Sequence, residues 1–124
     1  MSHFTRVQTR LHDLAVLEKA LIELKYRVEK GGTVLDFGEN EESVELLIRT
    51  GERYDIGFKV VDGSIRVVGD FSALKWNPKQ FVDRVTQRYA YLTVVEQSED
   101  KGWQLSSEEV QPDGSIRLVM QRWA

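Results

Sequence analysis

The 124-residue sequence contains no cysteine. Disulfide bonds, thiolate metal sites, cysteine nucleophiles and thiolate-ligated iron–sulfur clusters are therefore excluded, although the redox compartment stays open. Histidine is almost as scarce, because the sequence contains His3 and His12 alone, without the repeated spacing of a metal-binding motif. We therefore expect no metal site and no bound cofactor.

The sequence also lacks long apolar runs and a large excess of positive charge. No stretch has the length of a membrane span or the apolar core of a secretory signal. The formal net charge is −3, so no overall positive field attracts phosphate backbones or anionic lipids. We expect a protein of a cytosol-like compartment that has no membrane span and does not bind nucleic acid.

Motifs of the common catalytic classes are missing as well. The sequence has no nucleophile elbow of the Gly-x-Ser-x-Gly type, no Walker loop and no dinucleotide-binding glycine fingerprint. Asp36-Phe37-Gly38 spells one element of a kinase signature, but the chain is too short for a kinase and lacks the other elements. We therefore predict no catalytic residue and expect a non-catalytic protein.

What the chain does contain is enough apolar material for a packed core. About 41% of the residues are hydrophobic and 30% are charged, which is typical of a globular protein. A length of 124 residues suits one domain and leaves no room for a second one with its own core. We expect residues 1–124 to form a single domain.

Two helices are predicted from capping residues and apolar spacing. The first spans 13–25, because Asp13 can cap it and leucines then recur at intervals of three and four. The second runs from Asn77 to about Glu99, since Asn77 can cap it and Pro78 suits a first helical turn.

The remaining segments predict strands and hairpins. Asp62-Gly63 and Asp113-Gly114 are strong hairpin signals, because both central residues of a type I′ turn need positive φ. Alternating apolar residues predict strands at about 3–11, 26–37, 44–49, 54–60, 103–110 and 115–123, with a return strand after 63 that ends near 69.

The order β-α-β-β-β-β-α-β-β predicts an α+β fold, with a mainly antiparallel sheet and two helices on one face. We expect the opposite face to be open to solvent or a partner, and to be the place where function resides.

The second predicted helix carries the most distinctive candidate for an interaction surface. Arg84, Gln87, Arg88 and Tyr91 combine guanidinium groups with a phenol ring, and both groups concentrate at binding hot spots. A structural interpretation is equally physical: Tyr89 packs in the core while the arginines are solvated. The surface predicts a protein partner, and the oligomeric state stays open.

An alternative function is a small-molecule sensor or an unrecognised enzyme. Its pocket would lie near strand ends and include His3, Arg49, Tyr54 and Asp55. The structural alternative is that these residues serve folding, with Gly57 permitting a close backbone approach inside a strand.

Trp76, Trp103 and Trp123 lie at element boundaries, and an exposed indole there would indicate a partner surface.

Five segments stand out in order along the chain: Met1-Ser2-His3-Phe4, Arg49-Thr50-Gly51, Tyr54-Asp55-Ile56-Gly57-Phe58, Gln87-Arg88-Tyr89-Ala90-Tyr91 and Asp113-Gly114-Ser115-Ile116-Arg117-Leu118. Through them the sequence resembles, over nearly the whole chain, the hypothetical chloroplast reading frame thirty-five family of cyanobacteria and red-algal plastids. The segment 71–76 differs from the pattern of that family. The resemblance implies a cyanobacterial cytosol or a plastid stroma, but it implies no activity and no site. Our leading hypothesis is therefore a protein-binding or assembly-accessory protein.

Overall fold

The computed structural model describes residues 2–122, which form seven strands and three helices. The elements are β1 (Thr5–Gln8), α1 (Leu14–Glu23), β2 (Arg27–Leu35), β3 (Glu41–Arg49), β4 (Ile56–Val61), β5 (Ser64–Gly69), α2 (Phe71–Leu74), α3 (Pro78–Asp100), β6 (Trp103–Val110) and β7 (Ile116–Arg122). The strand predicted at 115–123 is described from Ile116 to Arg122, and Trp123 lies outside the described residues.

The strands form two separate antiparallel sheets. The larger sheet has the order β1-β5-β4-β3-β2, and β6 pairs with β7 alone in a two-stranded sheet. The predicted α+β class, antiparallel arrangement and element order are confirmed, with α2 as an additional short helix. No helix among residues 2–122 combines the length and the apolar character needed to cross a membrane.

Helices α1 and α3 pack on one face of the five-stranded sheet, as predicted. Local capping fixes where they begin, because Asp13 accepts the backbone N–H groups of Ala15 and Val16, and Asn77 accepts that of Gln80. The main core joins apolar residues from both helices to the sheet: Leu17, Leu21, Leu46, Ile48, Ile56, Phe58, Ile65, Val67, Phe81 and Val85.

The two hairpin signals produce different turns. At the β4–β5 turn both Asp62 and Gly63 have positive φ, at 53° and 81°, as a type I′ turn requires. The β6–β7 turn is longer and is closed by hydrogen bonds between Gln111 and Ser115 and between Gly114 and Gln111. Gly114 alone of the predicted pair has a positive φ there, at 88°.

The prediction that the second face of the large sheet is open is correct for one part of the face, where Arg6 and Gln8 are exposed, and wrong for another part. Strand β3 pairs with β4 only from Leu46 to Ile48, and Val44, just before that point, packs with Leu47 and Val68 on this face. The carboxylate of Glu45 then accepts the N–H of Val60, replacing the backbone partner that β4 loses. A second small core results, made of Val34, Val44, Leu47 and Val68 with Phe4 at its border.

Helix α2 lies between β5 and α3, in a segment for which the sequence predicted no element. Asp70 caps it by accepting the N–H of Ala73. Its carboxylate also accepts the N–H of Phe37, at 2.8 Å. Asp70 therefore fastens the tip of the β2–β3 hairpin to the end of β5, which secures the covered face.

Candidate functional site

Helix α3 carries a second apolar stripe besides the one that enters the core. Phe81, Val85, Tyr89 and Leu92 are buried against the main core. Tyr91 and Val94 lie outside that stripe and line a cleft with residues of the β6–β7 hairpin, and Val94 is 43% exposed. The helix is thus apolar on a flank that the large sheet does not cover.

The β6–β7 hairpin lies along this flank of α3. Its side chains alternate, with Ile116, Leu118 and Met120 half-buried and the neighbours Arg117 and Val119 exposed. No residue within either strand is fully buried. The hairpin is therefore held to the domain by one partly covered face.

Several large apolar side chains of the hairpin stay in contact with solvent. Val110 is 68% exposed, Val119 is 40% exposed and Trp103 is 36% exposed. With Val94, they are four of the seven large apolar side chains that are exposed among residues 2–122. Val110 shares the face of its partner Ile116, whereas Val119 lies on the other face, so the hairpin exposes apolar side chains on both faces.

Two shallow clefts separate the hairpin from α3. One has a volume of about 350 Å³ and lies between Val94 and Ser98 of the helix and Trp103 and Met120 of the hairpin. The other has a volume of about 240 Å³ and lies between Tyr91 and Val94 and the side chains at 115, 116 and 118. The contact between the two elements is therefore incomplete at both ends. We call β6, β7 and the adjoining flank of α3 the hairpin surface.

The predicted interaction residues on α3 all make contacts within the protein. Gln87 donates to the carbonyl of Gly114 in the hairpin turn, and Arg84 donates to the Tyr26 hydroxyl at 3.2 Å. Arg88 pairs with Glu23 of α1 at 3.5 Å. They therefore join α3 to its neighbours as well as bordering the hairpin surface.

Tyr91 is half-buried, as Arg88 is. The guanidinium carbon of Arg88 lies 4.6 Å from its ring centroid, a cation–π arrangement. Burial, and after it the negative charge of Glu108 on β6, raises the pKa of the Tyr91 hydroxyl above its usual value. Tyr91 is therefore a neutral phenol that connects α1, α3 and the hairpin.

The four residues of the predicted pocket fall into two groups. Arg49 donates to the carboxylate of Asp55 at 2.8 Å, and the same carboxylate accepts the N–H of Thr50. Thr50 in turn donates to the carbonyl of Tyr54 at 2.6 Å. Arg49, Tyr54 and Asp55 are thus brought together, in hydrogen bonds that shape the β3–β4 turn.

His3 belongs to a different contact set. The His3 ring meets Phe37 edge-on, with 5.8 Å between the ring centroids. The backbone N–H of His3 donates to the carboxylate of Asp36 at 2.7 Å. The structure therefore places His3 beside the β2–β3 tip. None of the clefts that we describe is lined by any of the four predicted pocket residues.

Asp36 is a buried carboxylate that organises this tip. Burial opposes its ionisation, but hydrogen bonds from the N–H of His3 and from the side chain and N–H of Asn40 outweigh it and lower the pKa of Asp36 to about 2. Asp36 is therefore ionised at neutral pH and holds the chain start against the hairpin. No group of three histidine or acidic side chains within residues 2–122 is arranged to hold a metal ion.

Reasoning from the sequence named Trp103 as an indole whose exposure would indicate a partner surface, but it did not identify β6 and β7 as that surface. One signal was available, since Val119 follows the polar side of a strand in which Ile116, Leu118 and Met120 form the other side. A valine at such a position points away from the core and is exposed unless a partner covers it.

Comparison with known proteins places the chain in a family. A family described as "Protein of unknown function (DUF1257)" matches residues 20–119. The chain is 34% identical to a protein from Pyropia yezoensis named "Uncharacterized protein ycf35", and the match covers 99% of this chain and 98% of the relative. Proteins of the same name from Cyanophora paradoxa and Guillardia theta are each 32% identical over the same shares.

These relatives come from plastid genomes of a red alga, a glaucophyte and a cryptophyte. No solved structure matches the chain significantly. The resemblance inferred from the ordered segments is confirmed, because the family match spans most of the chain and the relatives align over nearly all of it. The chain therefore belongs to the DUF1257 family, together with these plastid ycf35 proteins.

Proposed function

We propose that this protein is a non-catalytic binding domain that recognises another protein through the hairpin surface. The observation that carries the proposal is the exposure of Trp103, Val110 and Val119 on a two-stranded sheet that buries none of its residues fully. An isolated two-stranded hairpin is at best marginally stable in water, so a partner that covers it gains apolar contact and orders it.

The unpaired edges of the hairpin support the same proposal. Within the described residues, β6 pairs with β7 and neither strand has another strand beside it. Such edges expose backbone N–H and C=O groups that can pair with an added strand. A partner segment can therefore combine backbone pairing with contacts to the exposed valines.

The predicted residues Arg84, Gln87, Arg88 and Tyr91 have a supporting part in this proposal. Arg88 and Tyr91 tie α3 to α1 and β6, and Gln87 holds the hairpin turn. They therefore set the position of the hairpin that the partner meets. We propose that the chain does this as one domain, in a plastid stroma or a cyanobacterial cytosol.

Affinity capture from native lysate of the source cells tests the proposal. The comparison is between the wild-type protein and a double variant, Val110→Asp with Val119→Asp. Both valines are exposed, so the variant is expected to fold with a thermal midpoint close to that of the wild type. We expect at least one protein to be captured reproducibly by the wild type and lost with the double variant.

Val60→Asp is the matched control. Val60 is a valine with 37% exposure on β4, outside the hairpin surface, so its replacement should leave capture unchanged. Equal capture by the wild type and the double variant would overturn the proposed surface. Capture of this chain alone, or of no reproducible protein, would overturn the proposal of a different protein as partner.

A further inference from the structure

A cleft at the start of α3 combines aromatic rings with positive charge. Its volume is about 370 Å³, and its lining includes Tyr26, Trp76 and Phe81 together with Lys75 and Arg84. That volume falls within the range of about 300 to 1,000 Å³ that is usual for small-molecule sites. The cleft is thus large enough for a compact ligand of the size of a mononucleotide.

The three rings form one connected platform. The centroids of Trp76 and Phe81 are 5.7 Å apart, those of Tyr26 and Phe81 are 5.7 Å apart, and those of Tyr26 and Trp76 are 6.4 Å apart. Phe81 is buried and also contacts Phe58 in the main core, at 6.2 Å between centroids. The platform therefore has a fixed base, while Tyr26 and Trp76 stay half-buried at its rim.

The charged side chains around this platform are both cations. Lys75 and Arg84 are exposed, and neither forms an ion pair within the described residues. Asp83 precedes Arg84 in the sequence, but its carboxylate is held by Lys79 at 2.6 Å. In a chain with a net charge of −3, this cleft is locally positive.

Arg84 is positioned rather than freely mobile. Its guanidinium donates to the Tyr26 hydroxyl at 3.2 Å, which leaves other N–H groups of the same side chain to meet a ligand. Asn77 and Gln80 add carboxamides to the lining. The side chains thus present an apolar floor of rings that are tilted to one another, lined also by a guanidinium and an ammonium group.

We propose that this cleft binds a small aromatic anion, with its ring stacked on Trp76 or Tyr26 and its phosphate or carboxylate bound by Lys75 and Arg84. Stacked rings attract each other in offset or tilted arrangements, and charge-assisted hydrogen bonds to phosphate or carboxylate are the stronger kind. The proposal is independent of partner binding, because it depends on the cleft and not on the exposed valines of the hairpin.

Nuclear magnetic resonance of the three tryptophan indole N–H groups tests the proposal. Single Trp→Phe replacements assign the three signals, and the protein is then titrated with adenosine monophosphate and with indole-3-acetate. We expect at least one of these anions to shift the Trp76 signal saturably, and the identity of that anion shows whether phosphate or carboxylate is preferred. Adenosine and indole, the neutral analogues, should bind with an affinity that is lower by a factor of about 10 or more.

The double variant Lys75→Gln with Arg84→Gln removes the positive charge without touching the rings. We expect its affinity for the anion to fall about 10-fold, while the affinity for the neutral analogue changes little. Arg10→Gln, an exposed cation that does not line the cleft, is the control and should bind like the wild type. Three results would each overturn the proposal: no saturable shift of the Trp76 signal, equal binding of charged and neutral analogues, or unchanged affinity in the double variant.

Discussion

The side chain of Val44 occupies the space above Gly57 where any other residue would place its own side chain. A β-carbon built on Gly57 would lie 2.5 Å from Cγ1 of Val44, closer than such atoms come in real proteins. The missing side chain at Gly57 leaves room for Val44, which is buried there with Val34. Gly57 thus allows apolar side chains to cover part of the face that the element pattern leaves open.

Gly57→Ala should destabilise the protein by about 1 to 3 kcal/mol, because the added methyl group overpacks the second core. The free energy of unfolding from urea titration measures this change. Val44→Ala in the same chain removes both Cγ atoms that the methyl group would meet, so the double variant should be less destabilised than the sum of the two single variants. Additive effects would contradict the contact.

Replacing Asp36 by Asn should destabilise the protein in a pH-dependent way. The pKa of Asp36 is lowered from 3.8 to about 2, so the folded state favours the ionised form. Its contribution is complete above the unfolded value and is lost as the pH falls through the folded value. The difference in unfolding free energy between the wild type and Asp36→Asn should therefore be largest near neutral pH and shrink between about pH 4 and pH 2.

Asp62→Asn is the control for that comparison. Asp62 lies at an exposed turn with a φ of 53°, and asparagine tolerates the same conformation. Its effect on the urea midpoint should be small at every pH. A difference between the wild type and Asp36→Asn that stays constant down to about pH 2 would contradict the role given to the Asp36 carboxylate.

The hydroxyl of Tyr89 gives a third prediction. This buried group accepts the backbone N–H of Asp13 at 3.0 Å and that of His12 at 3.4 Å, just before α1 begins. Tyr89→Phe should lower the free energy of unfolding by about 1 to 2 kcal/mol, because it leaves these donors without that acceptor. Tyr26→Phe, which loses a hydrogen bond to exposed Arg84, should change it by no more than about 0.5 kcal/mol. Equal effects of the two replacements would contradict this account.

Features with a local cause were predictable from the sequence. Asp13 and Asn77 cap α1 and α3 as predicted, since a cap depends on side-chain and backbone atoms within three residues. The turn at Asp62-Gly63 follows in the same way, from the need for positive φ. Apolar spacing then predicted the helix faces that enter the core.

Features that depend on distant contacts were not predictable. Arg49, Tyr54 and Asp55 are close in sequence, so their grouping at one turn was predictable. His3, by contrast, lies at the β2–β3 tip because it bonds to Asp36, which is 33 residues away. Gly57 was predicted to permit a close backbone approach, but it is the side chain of Val44 that lies against it. The packing of these two residues from different strands has no local signal.

Hydrogen exchange of the free protein gives a fourth prediction. The backbone amides of β6 and β7 should exchange faster than those of β4 and β5, because the hairpin has two strands and buries no residue fully. Peptide-level mass spectrometry measures both regions in one experiment. Equal protection of the hairpin and the central strands would show that the hairpin is not the weakly held element described here.

The same measurement on the protein in complex with its captured partner tests the central claim most directly. The account predicts that slower exchange appears in β6, in β7 and in the part of α3 that faces them, while β4 and β5 exchange as in the free protein. Slower exchange confined to another region, such as the β3–β4 turn around Asp55, with the hairpin unchanged, would contradict it.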